Sequence, residues 1–192
     1  STQVGLAASI GLDHLPTRPH PRVVILSAGP DLVEPGQSLK ADEEFETNSW
    51  LLTTAVREVG AIGYRVHSIP DDEEELLAVI EDQLVRADLI VISGERNDDS
   101  FDLITRTLQK MGEITTLDLA IENSGRHNFG QIGPDKTPVV TLPGDPINAY
   151  ISFELFVRPM IRTMLGVATI HRPSVKAKLE KAISSTPGAR SY

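Results

Sequence analysis

Two stretches decide the fold: Asp88-Leu89-Ile90-Val91-Ile92-Ser93-Gly94 and Pro138-Val139-Val140-Thr141-Leu142-Pro143-Gly144-Asp145-Pro146. Each is a short apolar run that meets a glycine turn and leads into a segment of helical periodicity. Unbroken apolarity, without alternation, marks strands buried on both faces, as in parallel sheets. Open α/β sheets bind ligands outside the carboxyl ends of such strands. The two glycine turns therefore predict where a site sits.

The rest of the chain fits around these strands. Val23-Val24-Ile25-Leu26 reads as a third fully buried strand over Arg22–Ser27, and Gly63–Ile69 as a fourth. Between them, Ala28–Glu46 reads as a long loop. A helix runs from Asn48 to Val59, capped by Thr47 or Asn48 and ended by Gly60; its stripe is Leu51, Leu52, Ala55, Val56 and Val59. Pro70-Asp71-Asp72 opens a helix to about Arg86, with acids in its first turn that favour the positive end of the helix dipole. Phe101, Leu103, Ile104, Leu108 and Met111 form another helical face. Glu113–Ile121 and His127–Ile132 read as a hairpin around Asn123-Ser124-Gly125. Pro146 opens a last helix through Val157, which Pro159 is expected to interrupt before a short turn to Gly166. Strands alternating with helices predict a three-layer α/β/α sandwich with a mostly parallel sheet.

Composition narrows the function. The chain has 192 residues, 40% hydrophobic and 23% charged, and no cysteine. Disulfides and thiolate metal sites are thereby excluded. A net charge of −9 argues against general nucleic-acid binding. No apolar run is long enough to span a bilayer, and a cytoplasmic location is expected. The charge changes sign along the chain: from Arg158 to Tyr192 there are 7 Lys/Arg and a single acid, Glu180. The expected organisation is a connecting segment over 1–20, an α/β/α domain over 21–166, and the start of a truncated C-terminal β domain over 167–192, where Thr169–Glu180 alternates like a strand.

A set of motifs in fixed order resembles one family. Ser27-Ala28-Gly29-Pro30-Asp31-Leu32-Val33-Glu34-Pro35-Gly36, Asn48-Ser49, Pro70-Asp71-Asp72, Ser93-Gly94, Phe101-Asp102, Leu142-Pro143-Gly144-Asp145-Pro146 and Phe153–Pro159 are similar to the molybdopterin molybdotransferases, the MoeA and gephyrin E-domain family. The resemblance implies its central molybdopterin-binding domain. It also implies the family's activity: molybdate insertion into adenylylated molybdopterin with Mg²⁺, by a protein that dimerises when full length. Carried over residue by residue, Asp31, Asp71 and Asp102 become candidate catalytic residues. Asp71 and Asp102 become metal ligands, for which carboxylate oxygens suit Mg²⁺. Ser93, Gly94, Pro143, Gly144, Asp145 and Pro146 frame the pterin phosphate.

Several positions depart from the family. Glu95 replaces a glycine after Ser93-Gly94, Asn97 and Asp99 replace a serine and another glycine, and Glu122-Asn123-Ser124-Gly125-Arg126 replaces a lysine-rich turn. A carboxylate at a phosphate-facing position would repel the anion by roughly 4 kcal/mol at 4 Å and an effective dielectric near 20. A degenerate phosphate loop raises an alternative, a gephyrin-like scaffold that binds a peptide partner. Each candidate also has a purely architectural reading: Asp71 and Asp102 as helix-start residues, and Pro143–Pro146 as a tight strand-to-helix turn. The five histidines lack metal-ligand spacing, and Ser27, Ser93 and Ser100 have no base in sequence to make a nucleophile.

Overall fold

The computed structural model describes the chain except for residues 1, 30, 70, 71, 96 and 97; at 67–69, 95 and 98 it describes the backbone alone. Its centre is a six-stranded sheet. In chain order the strands are β1 (Arg22–Ala28), β4 (Ile62–Ile69), β5 (Leu89–Glu95), β6 (Gly112–Asp118), β7 (Arg126–Ile132) and β8 (Thr137–Pro143), and across the sheet they lie β4-β1-β5-β8-β7-β6. β4, β1, β5 and β8 run parallel, with Ile25 beside Val91 and Val91 beside Val140. β7 and β6 are antiparallel and form the expected hairpin edge, with Thr115 opposite Phe129.

The apolar runs behave as double-sided strands. Val23, Val24, Ile25 and Leu26 are all fully buried. Val23 and Ile25 join Val91, Val140 and Leu142 against one helix layer: α2 (Asn48–Val59) and the helix formed by α5 (Pro146–Ser152) and α6 (Arg158–Met164). Val24 and Leu26 join Ile90, Ile92 and Val139 against the other: α3 (Glu73–Leu84) and α4 (Asp98–Met111). Each fully buried Val, Leu or Ile contributes about 1.5–3 kcal/mol. A strand with two apolar faces is stable only between two layers, so the three-layer sandwich follows.

Several local expectations change. The 28–46 loop holds two short parallel strands, β2 (Leu32–Val33) and β3 (Glu44–Phe45). Helix α4 starts at Asp98, three residues before its apolar face, and Gly112 begins β6 directly. Pro159 does not interrupt its helix. A π-helical turn over Phe153–Val157 joins α5 to α6, and the Arg158 N–H donates to the Phe153 carbonyl five residues back. That widened turn places Pro159 at the start of α6, where its missing N–H breaks no bond.

Thr169–Glu180 forms no strand, because its backbone finds no neighbouring strand to pair with. Arginines tie the start of this stretch down instead. Arg158 Nη1 donates to the Ile170 carbonyl at 3.1 Å, and Arg172 grips Glu154 bidentately, both bonds at 2.7 Å. Near its end the chain returns to the hairpin through a bridge between Ile121 and Arg190. Among the described residues no helix is long and apolar enough to cross a membrane.

Candidate functional site

Parallel strands place the ends of β1, β5 and β8 on one edge, and helix α2 starts above them. A small cleft of about 60 Å³ opens there, lined by Ser27 of β1, Gly94 of β5, Gly144 after β8, and Glu46, Thr47 and Asn48 at the start of α2. Of the predicted ligand-framing residues, Gly94, Gly144 and Pro146 line this cleft. Ser93 lies just beneath, fully buried.

The two glycine turns differ in cause. Ser93-Gly94 is not a turn: β5 continues to Glu95, and a bulge between Ser93 and Glu95 shifts its register against β8. Gly94 has φ +129, and a Cβ there would lie 1.9 Å from the Ala28 carbonyl oxygen. The close approach of β1 therefore requires glycine whether or not a ligand binds. Pro143–Pro146 is a strand-to-helix turn, as its architectural reading has it. Asp145 caps α5 by accepting from the Asn148 backbone N–H at 2.9 Å, and Pro146 sits in the first turn.

Asn48 ties the cleft together. Its Nδ2 donates to Ser93 Oγ and to the Gly144 carbonyl, both at 2.8 Å. The carbonyl can only accept, which settles the amide orientation. Asn48 Oδ1 is buried and has no hydrogen-bond partner among the described residues. Asn48 is thus not the helix cap, and Thr47 turns its hydroxyl to the Phe45 carbonyl at 3.1 Å. The helix N–H of Ser49 instead meets Glu46 Oε1 at 2.7 Å.

Glu46 is 1% exposed yet well matched. It accepts from Ser27 Oγ at 2.7 Å, from Ser49 Oγ at 2.5 Å and from Arg65 Nη1 at 3.4 Å. Arg65 also donates to Glu34 at 2.7 Å and lies 4.1 Å over the Trp50 ring. A buried carboxylate survives only with such donors. The sequence gives Glu46 no role and offers Thr47 or Asn48 as the cap, of which Thr47 holds the cap position without a side-chain capping bond. The available signal was Asn48-Ser49 among the ordered motifs, at a helix N-terminus that the topology turns toward the strand ends.

Of the predicted acids, Asp31 and Asp102 do not line this cleft. Asp31 is exposed, and its backbone carbonyl accepts from the Glu44 N–H at 2.9 Å, holding β2 against β3. Asp71 lies outside the described residues. Asp102 forms an ion pair with Arg126, 3.3 Å from its Nη1, and the same guanidinium stacks 4.1 Å over Phe101. Among the described residues no group of three His, Cys, Asp or Glu could hold a metal ion. Glu122 is likewise engaged: its carboxylate accepts from Thr186 Oγ1 at 2.8 Å and from the Ser191 hydroxyl, and these hydroxyls hold it below the usual carboxylate range. It grips the end of the chain. The side chain of Glu95 lies outside what is described.

Beside the hairpin turn, His127 is fully buried. Its Nε2 lies 3.0 Å from Ser152 Oγ, and its ring packs on Phe129 and Phe156. Burial pushes its pKa below the ordinary imidazole value.

The model of the probable molybdopterin-binding domain family matches residues 25–163. The chain belongs to this family. The match runs from β1 to α6. Molybdopterin molybdenumtransferase 1 of Mycobacterium tuberculosis is 32% identical over 192 residues, spanning 100% of this chain and 45% of that protein. Molybdopterin molybdenumtransferase 2 of the same organism is also 32% identical, over 98% of this chain and 48% of its own length. Among solved structures, the molybdopterin biosynthesis moea protein from Pyrococcus horikosii superposes with a TM-score of 0.74 at 30% identity, over 86% of this chain and 40% of that one. The chain thus spans about half the length of the curated relatives it matches.

Proposed function

We propose that this molybdopterin-binding domain serves molybdenum cofactor biosynthesis, as the ligand-binding part of a molybdotransferase that inserts molybdate into adenylylated molybdopterin. The supporting observation is the cleft where β1, β5 and β8 end, clipped by Asn48, in a chain that matches proteins named molybdenumtransferases along its whole length. Gly94, Gly144 and Pro146 line that cleft, and the part in framing the pterin phosphate that the resemblance gives to Ser93, Gly94 and Pro143–Pro146 belongs to this proposal. The scaffold alternative draws no support from these relatives.

The catalytic roles carried by resemblance to Asp31, Asp71 and Asp102 belong to this proposal. The described residues do not fit the Mg²⁺ that the resemblance adds: Asp102 is matched by Arg126, and Asp31 stands apart just before β2. Dimerisation of the full-length protein, a cytoplasmic location, and a β domain beginning at 167 are parts of the same proposal. Complementation tests it. The full-length protein should restore cofactor production in a strain lacking the transferase. Well-expressed protein that restores none sinks the catalytic claim.

A further inference from the structure

We propose that Arg65 is a positioning residue for the cleft, holding the β2–β3 part of its lining against the start of α2 without touching the ligand. This inference rests on the molybdopterin reading above. Leu32 of β2 and Glu44 and Phe45 of β3 supply one part of the lining, and Glu46, Thr47 and Asn48 at the start of α2 supply another. β2 and β3 form a sheet of their own, two residues per strand, apart from the six-stranded one. A pair that short has little stability of its own. Its place beside the cleft therefore depends on what ties it to the rest of the domain.

Arg65 is such a tie. It stands on β4, where it pairs with Ile25 of the buried strand β1. Its Nη1 donates to Glu34 Oε1, just past β2, at 2.7 Å, and to Ser49 Oγ and Glu46 Oε2 at 3.2 and 3.4 Å. The guanidinium lies 4.1 Å over the ring of Trp50, in the first turn of α2, and this stack directs it. Its side chain is 16% exposed and that of Glu34 26%, so water and salt screen the pair less than they screen a surface pair. Glu46 carries the tie on to Ser27 at the cleft. Neither Arg65 nor Glu34 lines the cleft. Their effect on binding therefore travels through position and not through contact.

Calorimetric titration of the full-length protein with molybdopterin tests this. Arg65→Met keeps an unbranched stem on Trp50 and removes the donors, and it should weaken binding about 10-fold. Glu34→Gln should weaken it about 3-fold, and the double variant should match Arg65→Met within about 2-fold, because both changes break one contact. Asp88→Asn weakens a different ion pair, with Arg22 at the opposite ends of β1 and β5, and should leave affinity unchanged. A merely less stable fold lowers the folded fraction and not the affinity of the folded molecules, so the comparison separates positioning from stability. Glu34→Gln, at a partly exposed side chain, decides the matter by itself should Arg65→Met not fold. Unchanged affinity in Glu34→Gln or in folded Arg65→Met, losses that add in the double variant, or an equal loss in Asp88→Asn overturns the assignment. Native protein that fails to bind molybdopterin sinks the broader reading and this inference with it. Native protein that binds, with variants that bind equally well, sinks this inference alone.

Discussion

Asn48 donates to Ser93 Oγ at 2.8 Å across 45 residues of sequence, joining the first residue of α2 to the end of β5. The same amide reaches Gly144 after β8. One side chain therefore sets the distance between the two strand ends that border the cleft.

Removing this clip should destabilise the domain in a graded way. Asn48→Ala leaves the Gly144 carbonyl without its donor and should cost about 1–3 kcal/mol. Ser93→Ala loses a single bond and should cost about 1 kcal/mol. Urea unfolding of the two single variants and the double variant should show non-additivity of roughly 0.5–1 kcal/mol. Strict additivity would mean that the two groups are not coupled.

Gly94→Ala should be severe. The new Cβ meets the Ala28 carbonyl oxygen at 1.9 Å, at a φ of +129 that side chains rarely adopt. Neither backbone can move without disturbing the β1–β5 register. A loss of about 3 kcal/mol or more is expected, measured as a fall in thermal midpoint or in soluble yield. Gly36 also has positive φ, 96°, but a Cβ there meets nothing within 4 Å. Gly36→Ala should therefore be much milder, and equal effects would refute the steric account.

His127 should make stability fall in mild acid. Its native pKa is depressed by burial, so the unfolded chain binds the proton more readily. Stability attributable to this residue is intact above the unfolded value of about 6.5 and declines as pH falls from there toward the depressed native value. Thermal midpoints between pH 8 and pH 5 should drop further for the native protein than for His127→Gln. Parallel curves would show that His127 does not drive the dependence.

Asp102 and Arg126 should matter little for stability. Both side chains are substantially exposed, 58% and 37%. Asp102→Asn should change unfolding free energy by less than ~1 kcal/mol. Arg126→Ala also loses the stack on Phe101 and should cost somewhat more, by about 0.5–1 kcal/mol. A large loss in Asp102→Asn, followed by chemical denaturation, would show that the acid has a buried role.

The architecture was legible because it rests on local patterns. Val23–Leu26, Leu89–Ile92 and Val139–Leu142 carry their burial on both sides in the residues themselves, and the stripe of α2 and its Gly60 stop repeat at helical spacing. The ordered motifs pointed to the family by the same linear logic. Other features were not legible. β2 and β3 are two residues each inside a proline-containing loop, too short for any periodicity to register. Pro159 reads as a break unless the π-helical turn before it is known.

The sequence by itself determined the sandwich, the edge where strands end, and the family, because burial pattern and motif order survive in one dimension. Only the tertiary structure decided what the individual residues there do. It showed Asn48 as a clip and not a cap, Glu46 as a buried acid held by Ser27, Ser49 and Arg65, Asp102 matched by Arg126, and Glu122 holding the chain's end. These pairings link residues up to 96 positions apart, as between Asn48 and Gly144. Strand order sets which side chains meet, and a charge or an amide in sequence carries no record of the partner it finds.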